Sequence, residues 1–188
     1  MKFFEEGFLS PTTEYSVIIP IINKEYFLFE LRSKNLKIQP QEISFPGGKV
    51  ETNESPLEAG IRELYEEIGI KPIEIIGKMK SLITPFNIVI HPFIATIDPT
   101  NMNLNPEEVE KVFYVPINFF EKPTFTCFAK LKVSPTSNFP YHLIPGGQKY
   151  VWREGKYKIM FFLYEELVIW GITARLAFEA YKKLKGGF

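Results

Sequence analysis

The chain has 188 residues, of which 45% are hydrophobic and 15% aromatic, with 22 basic side chains, 22 acidic ones and one cysteine. This size and content suit a single domain over 1–188 with a sizeable core, and the even charge balance excludes a basic footprint for nucleic acid. One cysteine excludes an internal disulfide and a cysteine-based zinc site, and no apolar run approaches the roughly 18 residues of a membrane span, so the chain reads as cytoplasmic, with neither nucleic acid nor membrane as partner.

The opening stretch MKFFEEGFLS lacks the basic start and apolar run of a secretory leader. Residues 14–22 and 25–32 are β-rich runs joined at Asn23-Lys24, which predicts an antiparallel pair. A polar loop follows. Residues 42–51 read as a short strand ending in a Pro-Gly-Gly turn, and 73–83 and 88–97 as two further strands. Residues 111–117 and 124–133 add more strand, and Cys127 within the latter reads as a buried, inert thiol. The aromatics of KIMFFLYEE read as core, His91 as structural, and the second Pro-Gly-Gly, 145–147, as a turn.

Two long helical patterns are present, 55–68 and 164–185, the second with Lys in its last turns and with Trp170 expected to pack within it. Strands in excess of helices predict an α/β or α+β sandwich. The first helix has Ser55 to cap it, Pro56 at its first position, Glu58 completing a capping box and Gly69 to stop it. At about 100° per residue, Leu57, Ile61, Leu64 and Ile68 share one face, and Glu63, Glu66 and Glu67 form an acidic stripe on the opposing, exposed arc. Ala59 and Gly60 lie beside the stripe, which predicts open space there for something bulky.

Like charges at these spacings oppose one another, and anions late in a helix oppose its dipole. Residues 48–70 hold six Glu against Lys49 and Arg62, a net of −4 in a neutral chain. A hard divalent cation, Mg²⁺ or Mn²⁺, compensates such a stripe and is commonly shared with substrate phosphates. Arg62 has Glu58 and Glu66 each four residues away and can fix a carboxylate in place.

From Gly48 through Glu54 to RELYEEIGI at 62–70, the segment resembles the Nudix box at every defined position. The resemblance implies a Nudix-type α/β/α sandwich with a central mixed sheet, and a hydrolase of nucleoside diphosphates linked to another group. By matching position, Glu63, Glu66, Glu67 and the Gly47 carbonyl are metal ligands, and Arg62 with Glu54 is the orienting pair. The base that activates water is either Glu67 or Glu108, the latter in NPEEVEKVFYVPI; both remain candidates.

LFELRSKNLKIQPQEISFPGG, 28–48, resembles the coenzyme A diphosphatase branch through Arg32, Ser33, Leu36, Lys37, Ile43 and Phe45 to Gly48, and IWGITARL at 169–176 also resembles it. The branch has Arg, His and Gly where this chain has Lys37, Gln39 and Gln41. Arg32, Ser33, Lys37 and Gly48 are therefore the candidate substrate contacts, and coenzyme A, cleaved to 4′-phosphopantetheine and adenosine 3′,5′-bisphosphate, is the expected substrate. ADP-ribose or another nucleoside diphosphate derivative is the alternative within the enzyme class, and a non-catalytic nucleotide sensor the alternative outside it. A homodimer is left open.

Overall fold

Two adjoining β-rich runs, Thr13–Ile22 (β1) and Tyr26–Arg32 (β2), form the expected hairpin, with Asn23 and Lys24 both at positive φ in the turn. The structure is a computed structural model and describes residues 12–186; the stretch read for a leader lies outside the described residues. Pro46 divides the next predicted strand into Ile43–Ser44 (β3) and Gly47–Lys49 (β4). The 73–83 run is likewise divided, into Glu74–Lys78 (β5) and Leu82–Ile83 (β6), before Ile88–Thr96 (β7). With Val109–Pro116 (β8) these make an eight-stranded sheet, β3-β2-β1-β7-β5, with β4 on β1, β6 on β7 and β8 on β2. The sheet is mixed because β1 and β7 run parallel over nine residue pairs and the other pairings are antiparallel.

Alternation along β1 and β2 sends successive side chains to opposite faces. Ile18, Ile22 and Leu28 pack with Leu64 and Ile68 of the first helix, Pro56–Ile68 (α1). Ile19, Ile21, Phe27 and Phe29 face the other way, onto Phe120, Phe162, Ala174 and Ala177. The last two belong to Gly171–Lys185 (α2), so helices cover both faces of the sheet. Phe29 and Phe45 stack at 4.4 Å, and Phe120 lies 5.6 Å from both Phe27 and Phe29. Burying each such ring stabilises the fold by about 1.5–3 kcal/mol. Among the described residues no helix is long and apolar enough to cross a membrane.

Four expectations are corrected. Residues 164–170 are not helix: Gly155–Tyr164 (β10) and Leu167–Trp170 (β11) join Phe125–Leu131 (β9) in a second, three-stranded sheet, β11-β10-β9. Trp170 ends β11 and Gly171, at φ 64°, turns the chain into α2, so Trp170 does not pack within the helix. Cys127 is exposed, because nothing among the described residues covers the outer face of β9. Ala59 and Gly60 are buried rather than bordered by open space. A Cβ on Gly60 would meet Ser16 Oγ at 2.7 Å and Ile18 Cδ1 at 3.0 Å, so the small residues mark where α1 lies against β1.

Candidate active site

Helix α1 is fixed at both ends by short-range chemistry. Ser55 Oγ accepts from the Glu58 N–H, the Glu58 carboxylate accepts from the Ser55 N–H, and Gly69 closes the helix at φ 74°. Its close approach at Gly60 turns Glu67 inward, where the residue is 3% exposed. The exposure expected for Glu67 is thus overturned. The Gly47 N–H donates to Glu67 Oε2 at 2.8 Å and anchors the carboxylate to β4. Gly47 itself permits β4 to pair with β1, since a Cβ there would lie 2.2 Å from the Ser16 carbonyl oxygen.

Oxygens of Glu63, Glu67 and Glu108 lie within 4.8 Å of one another. Glu108 enters from the segment before β8, which is tied to the end of α1 by the Asn105 N–H donating to the Glu67 carbonyl, 2.9 Å. Gly48 leaves room for this group, as a Cβ there would fall 2.2 Å from Glu63 Cδ. Glu66 stays outside the group, half exposed, with Oε2 accepting from Arg62 Nη1 at 2.9 Å. Arg62 also donates to both oxygens of Glu54 at 3.1 and 2.9 Å, to Glu63 Oε1 at 2.8 Å and to the Lys49 carbonyl at 3.1 Å. One guanidinium thereby links the loop, the helix and the rim.

Beneath the group lies Glu30, 1% exposed, which inspection of the sequence missed. It occupies the pleat after Leu28 on the α1 side of β2. Ser44 Oγ donates to its Oε1 at 2.9 Å, while Oε2 is buried with no partner. A lone acid at an inward position of YFLFELR was the available signal. Burial pushes the Glu30 carboxyl up to about 7, against the opposing pull of Ser44 and Arg32, with Glu108 and Glu63 adding to the rise. Burial, then the neighbouring Glu30, pushes Glu67 well above the usual carboxylate range despite the Gly47 N–H. Burial also raises Glu63, and Arg62 pulls it back, whereas the Arg62 hydrogen bond lowers Glu54.

Of the candidate substrate residues, Arg32 ends β2, Ser33 and Lys37 lie on the loop that follows it, and Gly48 lies in β4. Ser33 is buried, and its N–H donates to the Glu108 carbonyl at 2.8 Å, so the backbone of this segment is tied to the backbone that carries Glu108. Arg32 reaches the Ile38 carbonyl at 3.5 Å through Nη2 while its Nε is buried without a partner. Lys37 is exposed. His91 is buried in β7, its Nδ1 2.8 Å from Ser81 Oγ and its Nε2 2.6 Å from Glu14 Oε2.

Packed carboxylates with raised proton affinities and one orphaned buried oxygen form a donor set suited to a hard divalent cation. The profile of the NUDIX domain matches residues 12–133, about two thirds of the chain. The chain belongs to the Nudix family. A mouse peroxisomal coenzyme A diphosphatase is 31% identical to this Nudix chain over 121 residues, 60% of this chain and 50% of that protein. A Caenorhabditis elegans peroxisomal coenzyme A diphosphatase is 32% identical over 100 residues, 50% of this chain and 43% of that one. The chain thus spans about half the length of these two relatives or less. The crystal structure of a MutT/nudix family protein from Enterococcus faecalis superposes with a TM-score of 0.55 at 15% identity, covering 97% of this chain and 66% of that one, and agrees in fold.

Proposed function

We propose that this Nudix protein hydrolyses the pyrophosphate linkage of coenzyme A or a derivative, giving 4′-phosphopantetheine and adenosine 3′,5′-bisphosphate. The observation that supports the reading is the main-chain hydrogen bond from the Ser33 N–H to the Glu108 carbonyl: the segment resembling the coenzyme A diphosphatase branch is held by its backbone against the segment that carries Glu108. The two relatives named above, both coenzyme A diphosphatases, support the same substrate.

Glu63, Glu67 and Glu108 would hold Mg²⁺ or Mn²⁺, with Glu66 and the Gly47 carbonyl as further ligands at the rim. When bound, the cation offsets charge on the carboxylates and the pyrophosphate and lowers the pKa of a coordinated water. Arg62 holds Glu63 and Glu66 in place from one guanidinium and is itself held by Glu54. Glu67 or Glu108 takes the proton of the attacking water, and burial raises the proton affinity of Glu67, as a proton acceptor requires. Arg32 and Lys37, beside the site and on its loop, meet the substrate phosphates, including the 3′-phosphate.

Incubation of the purified protein and Mg²⁺ with coenzyme A, ADP-ribose and a nucleotide panel, followed by product analysis, tests the proposal. Adenosine 3′,5′-bisphosphate from coenzyme A is expected. Its absence, with turnover of ADP-ribose instead, overturns the substrate and keeps the enzyme class; no turnover of any compound overturns both.

A further inference from the structure

The three-stranded sheet β11-β10-β9 has one face partly in the core and one face that no other described residue covers. Met160, Phe162 and Ile169 are buried on the inner face. The register places Phe125 and Trp170 on either side of Phe161 on the outer face. The three rings form a continuous stack across the strands, with centroids 4.6 and 5.9 Å apart and planes within 15° of parallel. The next row along the strands is Cys127 opposite Ile159, and the row after that Ala129 opposite Tyr157. On the other side of the aromatic row stand Leu163 and Val168.

No paired position on this outer face is charged. The lysines of the same strands, Lys130, Lys156 and Lys158, all take the opposite face, together with Phe128. Both faces of that end of the sheet are therefore accessible, and the sequence places charge on one and apolar groups on the other. Phe125 is 48% exposed, Val168 47%, Leu163 43% and Trp170 40%. Taking about 150–250 Å² for a whole aromatic side chain, the face offers on the order of 500 Å² of apolar surface. That is a patch of the size that marks an interaction site.

We infer that the outer face of β9, β10 and β11 is a two-fold interface between two copies of this chain, with Cys127 and Ile159 next to the axis. Area supports this occupant: two such faces, fully covered, bury about 1,000 Å², the floor for a self-association of good complementarity. Shape supports it as well. A two-fold through the Cys127–Ile159 row lays the tall aromatic row of one copy over the Ala129 row of the other, which is the self-complementarity an isologous contact requires. Charge agrees, because no paired position of the face is charged, the ions beside it in the cleft at Val168 and Trp170 being of both signs, Lys111 with Glu42 and Glu166. A lipid surface fits worse, since membrane-lying faces are rich in lysine at the rim of the apolar patch, whereas the three lysines of β9 and β10 take the opposite face and the cleft beside Val168 and Trp170 holds one lysine, Lys111, with Glu42 and Glu166.

Light scattering and sedimentation of the full chain across micromolar concentrations test the inference. The expected mass is twice 21.8 kDa. Phe125→Lys and Val168→Lys, both at exposed positions, are expected to give folded monomers with unchanged near-ultraviolet circular dichroism, whereas Phe128→Lys on the opposite face leaves the dimer intact. Maleimide labelling of Cys127 should slow as the wild type is concentrated but not in Phe125→Lys, and a short bis-maleimide should link the two copies through this one thiol. A monomer at every concentration, a dimer that survives both lysine variants, or binding of phospholipid vesicles by a wild type that does not self-associate overturns it.

Discussion

Replacing Glu30 by Gln isolates the electrostatic cost beneath the active site. The buried carboxyl holds its proton up to about pH 7, compared with 4.5 for a free glutamate. In the metal-free protein the folded state therefore binds more protons than the unfolded one between those values, and stability falls as pH rises through the window. The loss is absent below about pH 4.5 and complete above about pH 7; at about 1.4 kcal/mol per unit it reaches roughly 3 kcal/mol. Gln keeps an acceptor for Ser44 and removes the charge facing Glu67, Glu63 and Glu108. The other buried acids still titrate in the variant, so the two proteins share part of the slope, and Glu30 with Glu67 titrates as a pair. Thermal melts in EDTA at steps from about pH 5 to pH 8 should show the variant gaining on the wild type by roughly 3 kcal/mol, near 10 °C in midpoint for a chain of this size. Parallel curves over that range would refute the reasoning.

Three other expectations concern the same group. Glu67→Gln should remain folded, since the Gly47 N–H keeps an acceptor, yet lose about two or more orders of magnitude in kcat whether the residue serves as ligand or base; stopped assays at saturating substrate check this, and turnover near wild type refutes it. Millimolar Mg²⁺ should raise the midpoint of the wild type and raise it much less in Glu63→Gln, with about 2.7 kcal/mol of stabilisation at one hundred times the dissociation constant; differential scanning fluorimetry with and without Mg²⁺ reads the difference, and equal shifts count against the cation assignment. Gly48→Ala should displace the Glu63 carboxyl rather than the backbone, because the new Cβ meets a side-chain end. Activity and the Mg²⁺-dependent shift should fall together while the metal-free midpoint stays close to wild type, whereas collapse of the metal-free fold would count against it.

What the sequence disclosed about fold and site was mainly local. The ends of α1 were readable because Ser55, Glu58 and Gly69 act within a few residues of themselves. The box acids were readable because spacing on one helix is a matter of angle. The burial of Glu67 was not, since it depends on where β1 meets the helix, and Ala59 and Gly60 record a close approach as readily as an open space. Glu30 escaped for a related reason: whether an acid on a strand faces water or a helix is decided by pairing with β1, β3 and β8, which involves residues far along the chain. Residues 164–170 were assigned to helix because apolar spacing over so short a stretch suits either structure; pairing with β10 decided for strand.

The parallel pairing of β1 with β7 has a kinetic consequence. Thr13 lies opposite Ile88 and Ile21 opposite Thr96, so the centre of the sheet joins segments about 75 residues apart. Loop-closure entropy must be met before that ladder gains any contact, so the slow step of folding is expected to be the docking of these two strands, with α1 and its caps forming earlier. Glu63 and Glu67 already repel one another once α1 forms, but Glu30 and Glu108 join them only after the chain closes. The acidic group is thus assembled late, on a framework whose apolar contacts hold its four carboxyl groups together.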